Sequence, residues 1–298
     1  MTELFLDFLK STECEFEEYT DLAAMSPMRI STFARVIVYP TEERKLIDVL
    51  SYLSKQGIPY IVVGGMSNVL FKCGRFDGVV VKTTKFATNN EAENITELSS
   101  GVHLGGVIRR MSHRGLGGLE GLCGIPGTVG GMVKQNAGAF GYETADRLLW
   151  AKCYSISDGQ VHILSNREMQ FSYRKSILDC KDLILISAAF EFIPGHKADI
   201  IESLNSYRAR RSSTQPTNCP SLGSTFKRVN GVSAGYYIDK AGLKGYTIGG
   251  AQISSKHAGF VINTGGATAD DVLRIIDYAK SRVYDSFGIE LEEEIEII

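Results

Sequence analysis

The sequence has no C-x-x-C pair, a single tryptophan, and nothing close to the roughly twenty-residue apolar run of a membrane helix. Its six cysteines (Cys14, Cys73, Cys123, Cys153, Cys180 and Cys219) are scattered. A chain of 298 residues can build a core without disulfides, so reduced thiols in a cytoplasmic protein are the reading. The five histidines show no ligand spacing, and no metal is expected. His257, in SSKHAGF, reads as a structural histidine, with ligand contact the lesser alternative. A net charge of −2 leaves no basic excess for nucleic acid, which requires many phosphate contacts. The acidic opening MTELFLDFLKSTECEFEEYT has no basic region, apolar core or cleavage site, and does not read as a secretory signal.

What the chain has in abundance is glycine, concentrated from Gly117 to Gly141 in GGLEGLCGIPGTVGGMVKQNAGAFG. That density reads as successive tight turns rather than helix or strand interior. Backbone amides converging in such turns bind phosphate without basic side chains. The plain alternative is a structural loop, which the density of glycine together with Thr128 and Asn136 disfavours. A second turn, Gly64-Gly65-Met66-Ser67-Asn68, sits between the apolar runs Ile58–Val63 and Val69–Phe71. It is no dinucleotide fingerprint, because no G-x-G-x-x-G opens a helix there. Together the two turns suggest a diphosphate gripped from two sides.

Periodicity divides the chain into three regions. Leu46, Val49, Leu50 and Leu53 form one face of a helix over 41–57, with Thr41 as its cap and Gly57 closing it. Strands follow at 58–63 and 78–81. The second region holds a helix over 104–114 closed by Gly115, strands at 152–156 and 183–192, and a helical stretch ending at Arg208–Arg211. There the positive charge suits a helix C-terminus or an anion contact. The third closes with a helix capped by Thr268 and stopped by Gly288, its apolar face formed by Val272, Ile275, Ile276, Ala279 and Val283. Alternation over Ile289–Ile298 reads as a strand.

VVGGMSNVLF, GIPGTVGG with NAGA, FSYRKS, GSTFKR and FGIELEEEIEI occur in that order from about Arg29 to Ile298. Together they resemble the UDP-N-acetylenolpyruvoylglucosamine reductase family (UDP-N-acetylmuramate dehydrogenases), in its shorter subclass. The resemblance implies an α+β chain with a vanillyl-alcohol-oxidase-like FAD-binding fold. Two α/β subdomains, 1–84 and 85–211, would hold the flavin. A smaller α+β substrate domain would span 212–287, with 288–298 returning to the flavin-binding half. The implied reaction is NADPH-dependent reduction of UDP-N-acetylglucosamine enolpyruvate to UDP-N-acetylmuramate, through non-covalent FAD, for peptidoglycan synthesis and hence cell shape and division. A cytoplasmic monomer, with no nucleic-acid or membrane partner, is expected.

By the same resemblance Ser224 is the proton donor, Glu294 polarises the substrate carboxylate, and Arg174 holds it. Unaided, a serine after glycine reads as a turn residue, an arginine at a strand end as a surface ion-pair residue, and the glutamate run as a solvated face. Strand alternation sets Glu292, Glu294 and Glu296 on one face, so Glu292 is the substitute for Glu294. The flavin residues nominated are Gly64, Gly65, Ser67, Asn68, Gly127, Thr128, Gly130, Asn136, Ala137 and Gly138. Those nominated for substrate are Tyr173, Lys227, Arg228 and Gln252. The chain departs from the family pattern at Met66, in place of a third glycine. Ser31-Thr32 replaces a glycine pair, and Phe33 and Val229 each stand in place of a proline. An oxidase of the same fold, or a non-catalytic nucleotide-sugar-binding relative, is the alternative. Neither glycine turn contains a histidine for covalent flavin tethering.

Overall fold

A computed structural model describes residues 3–298. Packing groups them into two compact units. The first comprises residues up to Tyr19, Arg35–Gly65 and Asp77–Ala209; the second comprises Thr20–Ala34, Met66–Phe76 and Arg210–Ile298.

In the first unit, a four-stranded sheet runs in the order Glu15–Asp21, Phe33–Tyr39, Arg75–Lys82, Tyr60–Val63. The last two strands are parallel, with Tyr60 opposite Val79 and Val63 opposite Lys82. Helix Glu43–Lys55 buries Leu46, Val49, Leu50 and Leu53, the face that periodicity assigns, together with Phe5 and Leu9 of helix Glu3–Ser11 and Val79 and Val81 of the sheet. Thr41 does not cap that helix: Glu42 occupies the cap position and makes no side-chain capping bond. Thr41 precedes the first helical residue by two positions, too early to serve the first-turn amides.

The unit's other sheet is antiparallel, in the order Val161–Ser165, Leu148–Ser155, Leu183–Glu191, Ile95–Ser99, Asn89–Ala92. Helix Leu104–His113 packs Val107, Ile108 and Met111 into its core. The helix expected to end at Arg208–Arg211 runs from Lys197 to Thr214, three residues further.

The glycine-rich stretch is not all turn. Val129–Lys134 is a short helix that passes through Gly130 and Gly131. Tertiary contact overrides propensity there. The Gly130 amide donates to the Ser100 carbonyl at 2.9 Å, and an added Cβ would come within 3.2 Å of the same oxygen.

In the second unit, four antiparallel strands run Ser221–Ser224, Phe260–Asn263, Ala251–Ile253, Thr247–Ile248. Helix Ala269–Phe287 lays Val272, Ile275, Ile276, Ala279 and Val283 on the core, as its pattern requires. Thr268 and Asp271 form a reciprocal capping box and Gly288 ends the helix. The closing strand is shorter than the alternation suggests: only Glu296–Ile297 pairs, in parallel with Val69–Leu70. Before it, the Glu293 bridge to Phe226 and the burial of Leu291 and Ile295 fix the chain. Among the described residues no helix is long and apolar enough to cross a membrane.

Candidate active site and flavin cradle

The two glycine turns meet inside the first unit. A Cβ built on Gly64 would lie 2.0 Å from Thr128 Oγ1, so only glycine fits there. Gly65 faces Gly127 Cα at 3.8 Å and His103 Cε1 at 3.9 Å, measured from the same construction. The His103 ring bonds the Gly127 carbonyl through Nδ1 at 3.1 Å. Thr128 is 1 % exposed, and its hydroxyl has no hydrogen-bond partner within the protein. Buried hydroxyls are normally satisfied, so this one marks a place prepared for another group. Thr83 Oγ1 fastens the Val63 carbonyl at 3.3 Å and Lys82 Nζ the Gly64 carbonyl at 3.2 Å.

This glycine-walled spot lies at the carboxyl ends of two parallel strands, where α/β sheets bind ligands. It fits the diphosphate of a dinucleotide cofactor. Sequence reading missed Lys82, Thr83 and His103. Lys82 closes an apolar strand, which was the available signal; nothing around His103 carried one.

Sequence reading took Gly117–Gly141 as a single cradle, and the structure divides it. Gly127 and Thr128 belong to the spot just described. Gly117, Gly118 and Gly141 instead line a separate cavity of about 500 Å³ with Glu120, Tyr142 and Arg147. Burial, with Glu120 and Tyr207 adding to it, pushes the Tyr142 phenol up to about 12.

Asn136, backbone φ +39, is 1 % exposed. Its amide donates to Glu143 Oε2 at 2.7 Å and to the Ser172 carbonyl at 3.2 Å, and its oxygen accepts from the Ala145 amide at 3.0 Å. These bonds knot the NAGA turn to the Tyr173-Arg174 turn. Arg174, at φ +56, donates to the Gly138 carbonyl at 3.2 Å and lies over the Tyr173 ring at 5.1 Å. Ala137 packs against the core, and its amide donates to the Met132 carbonyl.

The remaining nominated residues lie in the second unit. Gly223, at φ +81, sits where the pairing of Ser221–Ser224 with Phe260–Asn263 shifts register. Ser224 follows that irregularity and stands opposite Phe260. The next residue, Thr225, accepts the Glu294 amide through its carbonyl at 2.8 Å. Asn68 Nδ2 donates to the Glu294 carbonyl at 3.0 Å, and the Glu296 amide donates back to the Asn68 carbonyl at 2.8 Å. Residues 68, 224 and 294, far apart in sequence, are thereby assembled.

Lys227 is ion-paired with exposed Glu292, while Glu293 pairs with Lys280 at 2.8 Å. Arg228 bonds the Gly231 carbonyl at 3.2 Å, and Gln252 bonds Thr247 Oγ1 at 3.0 Å. His257 is half-buried, its Nδ1 accepting from the Gly259 amide at 3.1 Å, and burial lowers its pKa. Among the described residues no three His, Cys, Asp or Glu side chains cluster as metal ligands.

The departures from the family pattern have local explanations. Met66 takes φ +51, the left-handed region a glycine would adopt without strain, and is buried. The Val229 amide donates to the Val232 carbonyl at 2.9 Å, a bond that proline could not make. Ser31 and Thr32 both bond the Asp21 carboxylate.

Residues 215–298 match the family described as UDP-N-acetylenolpyruvoylglucosamine reductase, C-terminal domain, and residues 34–165 match the FAD binding domain family. The UDP-N-acetylenolpyruvoylglucosamine reductase of Caldicellulosiruptor saccharolyticus is 41 % identical over 294 residues, covering 97 % of this chain and 94 % of its own. The chain belongs to that reductase family. The Clostridium perfringens reductase is 38 % identical over 292 residues, covering 95 % of each chain. The crystal structure of the Thermus caldophilus reductase superposes with a TM-score of 0.80 at 30 % identity, covering 95 % of this chain and 98 % of that one. Like the family, this protein is an FAD-containing, NADPH-dependent oxidoreductase.

Proposed function

We propose that this chain reduces UDP-N-acetylglucosamine enolpyruvate to UDP-N-acetylmuramate, in the cytoplasm and as a monomer. Bound FAD would supply the hydride chemistry that links NADPH to the enolpyruvyl β-carbon. The protein must then stabilise the enolate that forms and protonate the α-carbon. Ser224 donates that proton from its hydroxyl. Glu294 hydrogen-bonds the substrate carboxylate as negative charge develops. Arg174, charged at any working pH, holds the same carboxylate. Residues 1–84 and 85–211 carry the flavin and 212–287 the nucleotide sugar, with Tyr173, Lys227, Arg228 and Gln252 as substrate contacts.

The observation that carries the assignment is the bond between the Glu294 amide and the Thr225 carbonyl, which fixes Glu294 beside the residue that follows Ser224. The test is anaerobic: reduce the holoenzyme with NADPH, add the enolpyruvyl substrate, and follow flavin reoxidation. Rapid reoxidation with formation of UDP-N-acetylmuramate supports the reading. A reduced flavin that ignores the substrate but reacts with oxygen supports the oxidase alternative.

A further inference from the structure

Lys82 is a buried lysine with no carboxylate beside it. It ends a strand whose preceding residues, Val79, Val80 and Val81, are fully buried, and it is itself only 9 % exposed. Its one hydrogen bond goes to the Gly64 carbonyl at 3.2 Å, and it takes part in no ion pair. An ammonium has three donors, and a carbonyl satisfies one. Burying a cation without a counter-charge is unfavourable, so such groups are normally paired. A hand's breadth of chain away, Gly64 abuts Thr128 Oγ1, a second buried polar group without a partner. Two under-satisfied donors meeting at one glycine turn, at the carboxyl ends of two parallel strands, describe an anion site.

We propose that Lys82 provides the counter-charge for the diphosphate of the flavin, from beneath the Gly64 turn, and so discriminates phosphorylated flavins from riboflavin. The proposal rests on FAD being the cofactor. It assigns Lys82 to positioning, not to hydride or proton transfer. Backbone amides and the Thr128 hydroxyl orient the phosphate oxygens, and the ammonium supplies the full charge that amides lack.

Burial alone lowers the lysine pKa, with no charged neighbour contributing. A bound dianion pulls it back up, so flavin binding takes up a proton where the free and bound pKa values differ. FAD affinity therefore falls as pH climbs through the lowered free value. Of the elements packed here, the Tyr60–Val63 strand carries only Tyr60, at its far end, and the Thr128 turn carries no titratable group. Lys85 is paired with Glu15. His103 is the other titratable group at the turn, bonded to the Gly127 carbonyl.

The test compares dissociation constants of FAD and riboflavin, from flavin fluorescence, for wild type, Lys82→Met and Lys82→Arg. A charge-assisted hydrogen bond contributes about 1.5–3 kcal/mol, so Lys82→Met should weaken FAD about 10- to 100-fold. Riboflavin should change less than about twofold, since it carries no phosphate to meet the ammonium. Lys82→Arg should recover part of the FAD affinity, and the alkaline fall of FAD affinity should vanish in both variants, since neither methionine nor arginine titrates in that range. Equal loss of both flavins, which a merely damaged fold would give, overturns the proposal. So does FAD bound as tightly by Lys82→Met as by wild type, an outcome that leaves the flavoenzyme reading standing. Wild-type protein that holds neither flavin overturns both.

Discussion

The Glu294 amide donates to the Thr225 carbonyl at 2.8 Å, joining the last strand-like segment of the chain to the residue after Ser224. A side-chain bond from Asn68 to the Glu294 carbonyl, at 3.0 Å, fixes the same residue through its other backbone group. The Glu294 backbone is therefore held by a bond at its amide and another at its carbonyl. This is the support a residue needs if it is to meet a charge that exists only in the transition state.

Gly64→Ala should abolish flavin retention. Its Cβ would land 2.0 Å from Thr128 Oγ1, far inside contact distance. The double change Gly64→Ala with Thr128→Ser keeps that oxygen and stays flavin-free, whereas Gly64→Ala with Thr128→Ala removes the clashing atom and recovers part of the binding. Flavin absorbance of the purified proteins reads the result. Full occupancy in Gly64→Ala would mean that the turn is not the cradle.

Removing the capping box of helix Ala269–Phe287 should destabilise without altering flavin content. Thr268→Ala is expected to cost about 1 kcal/mol in urea unfolding. The Asp271 carboxyl is held below its ordinary range, first by the Thr268 amide and then by the Thr268 hydroxyl and the Gly250 amide. Its contribution is complete above the unfolded value of about 3.9 and is lost as pH falls through the lower folded value. Asp271→Asn should therefore flatten the acid limb of the stability–pH curve and leave the neutral region parallel to wild type.

The cysteines should separate into two kinetic classes. Burial pushes the Cys14 thiol up to about 11 and the Cys153 thiol up to about 12, so neither forms thiolate at pH 8. Cys73 and Cys180 are exposed. Ellman's reagent should modify Cys73 and Cys180 quickly in the native protein, and Cys14 and Cys153 only after denaturation. Fast reaction of Cys14 or Cys153 under native conditions would contradict the packing described.

Elements with strong local rules were legible in the sequence. The faces of helices Glu43–Lys55 and Ala269–Phe287 follow from apolar spacing, and the Thr268 cap from its Asp271 partner. What local rules could not supply depends on contacts distant in sequence. The helix through Gly130 exists because Gly130 packs on Ser100. The split of the glycine stretch into a cradle and a separate cavity depends on which turn faces Gly64 and which faces Ile193 and Ile200. Lys82 looked like an ordinary lysine after a strand, and only its burial at the turn makes it unusual. Ser224, Glu294 and Arg174 were legible only by resemblance, since serine after glycine, a glutamate run and an exposed-looking arginine each have commoner uses.

The most direct measurement separates the two half-reactions in Ser224→Ala. With NADPH alone, under anaerobic conditions, the variant's flavin should be reduced at close to the wild-type rate. With the enolpyruvyl substrate added to the reduced enzyme, reoxidation should slow by about 10²- to 10⁴-fold, the range a positioned general acid contributes. Reoxidation at the wild-type rate, with the same product formed, would remove Ser224 from the reaction and with it the assembled site of Ser224 and Glu294.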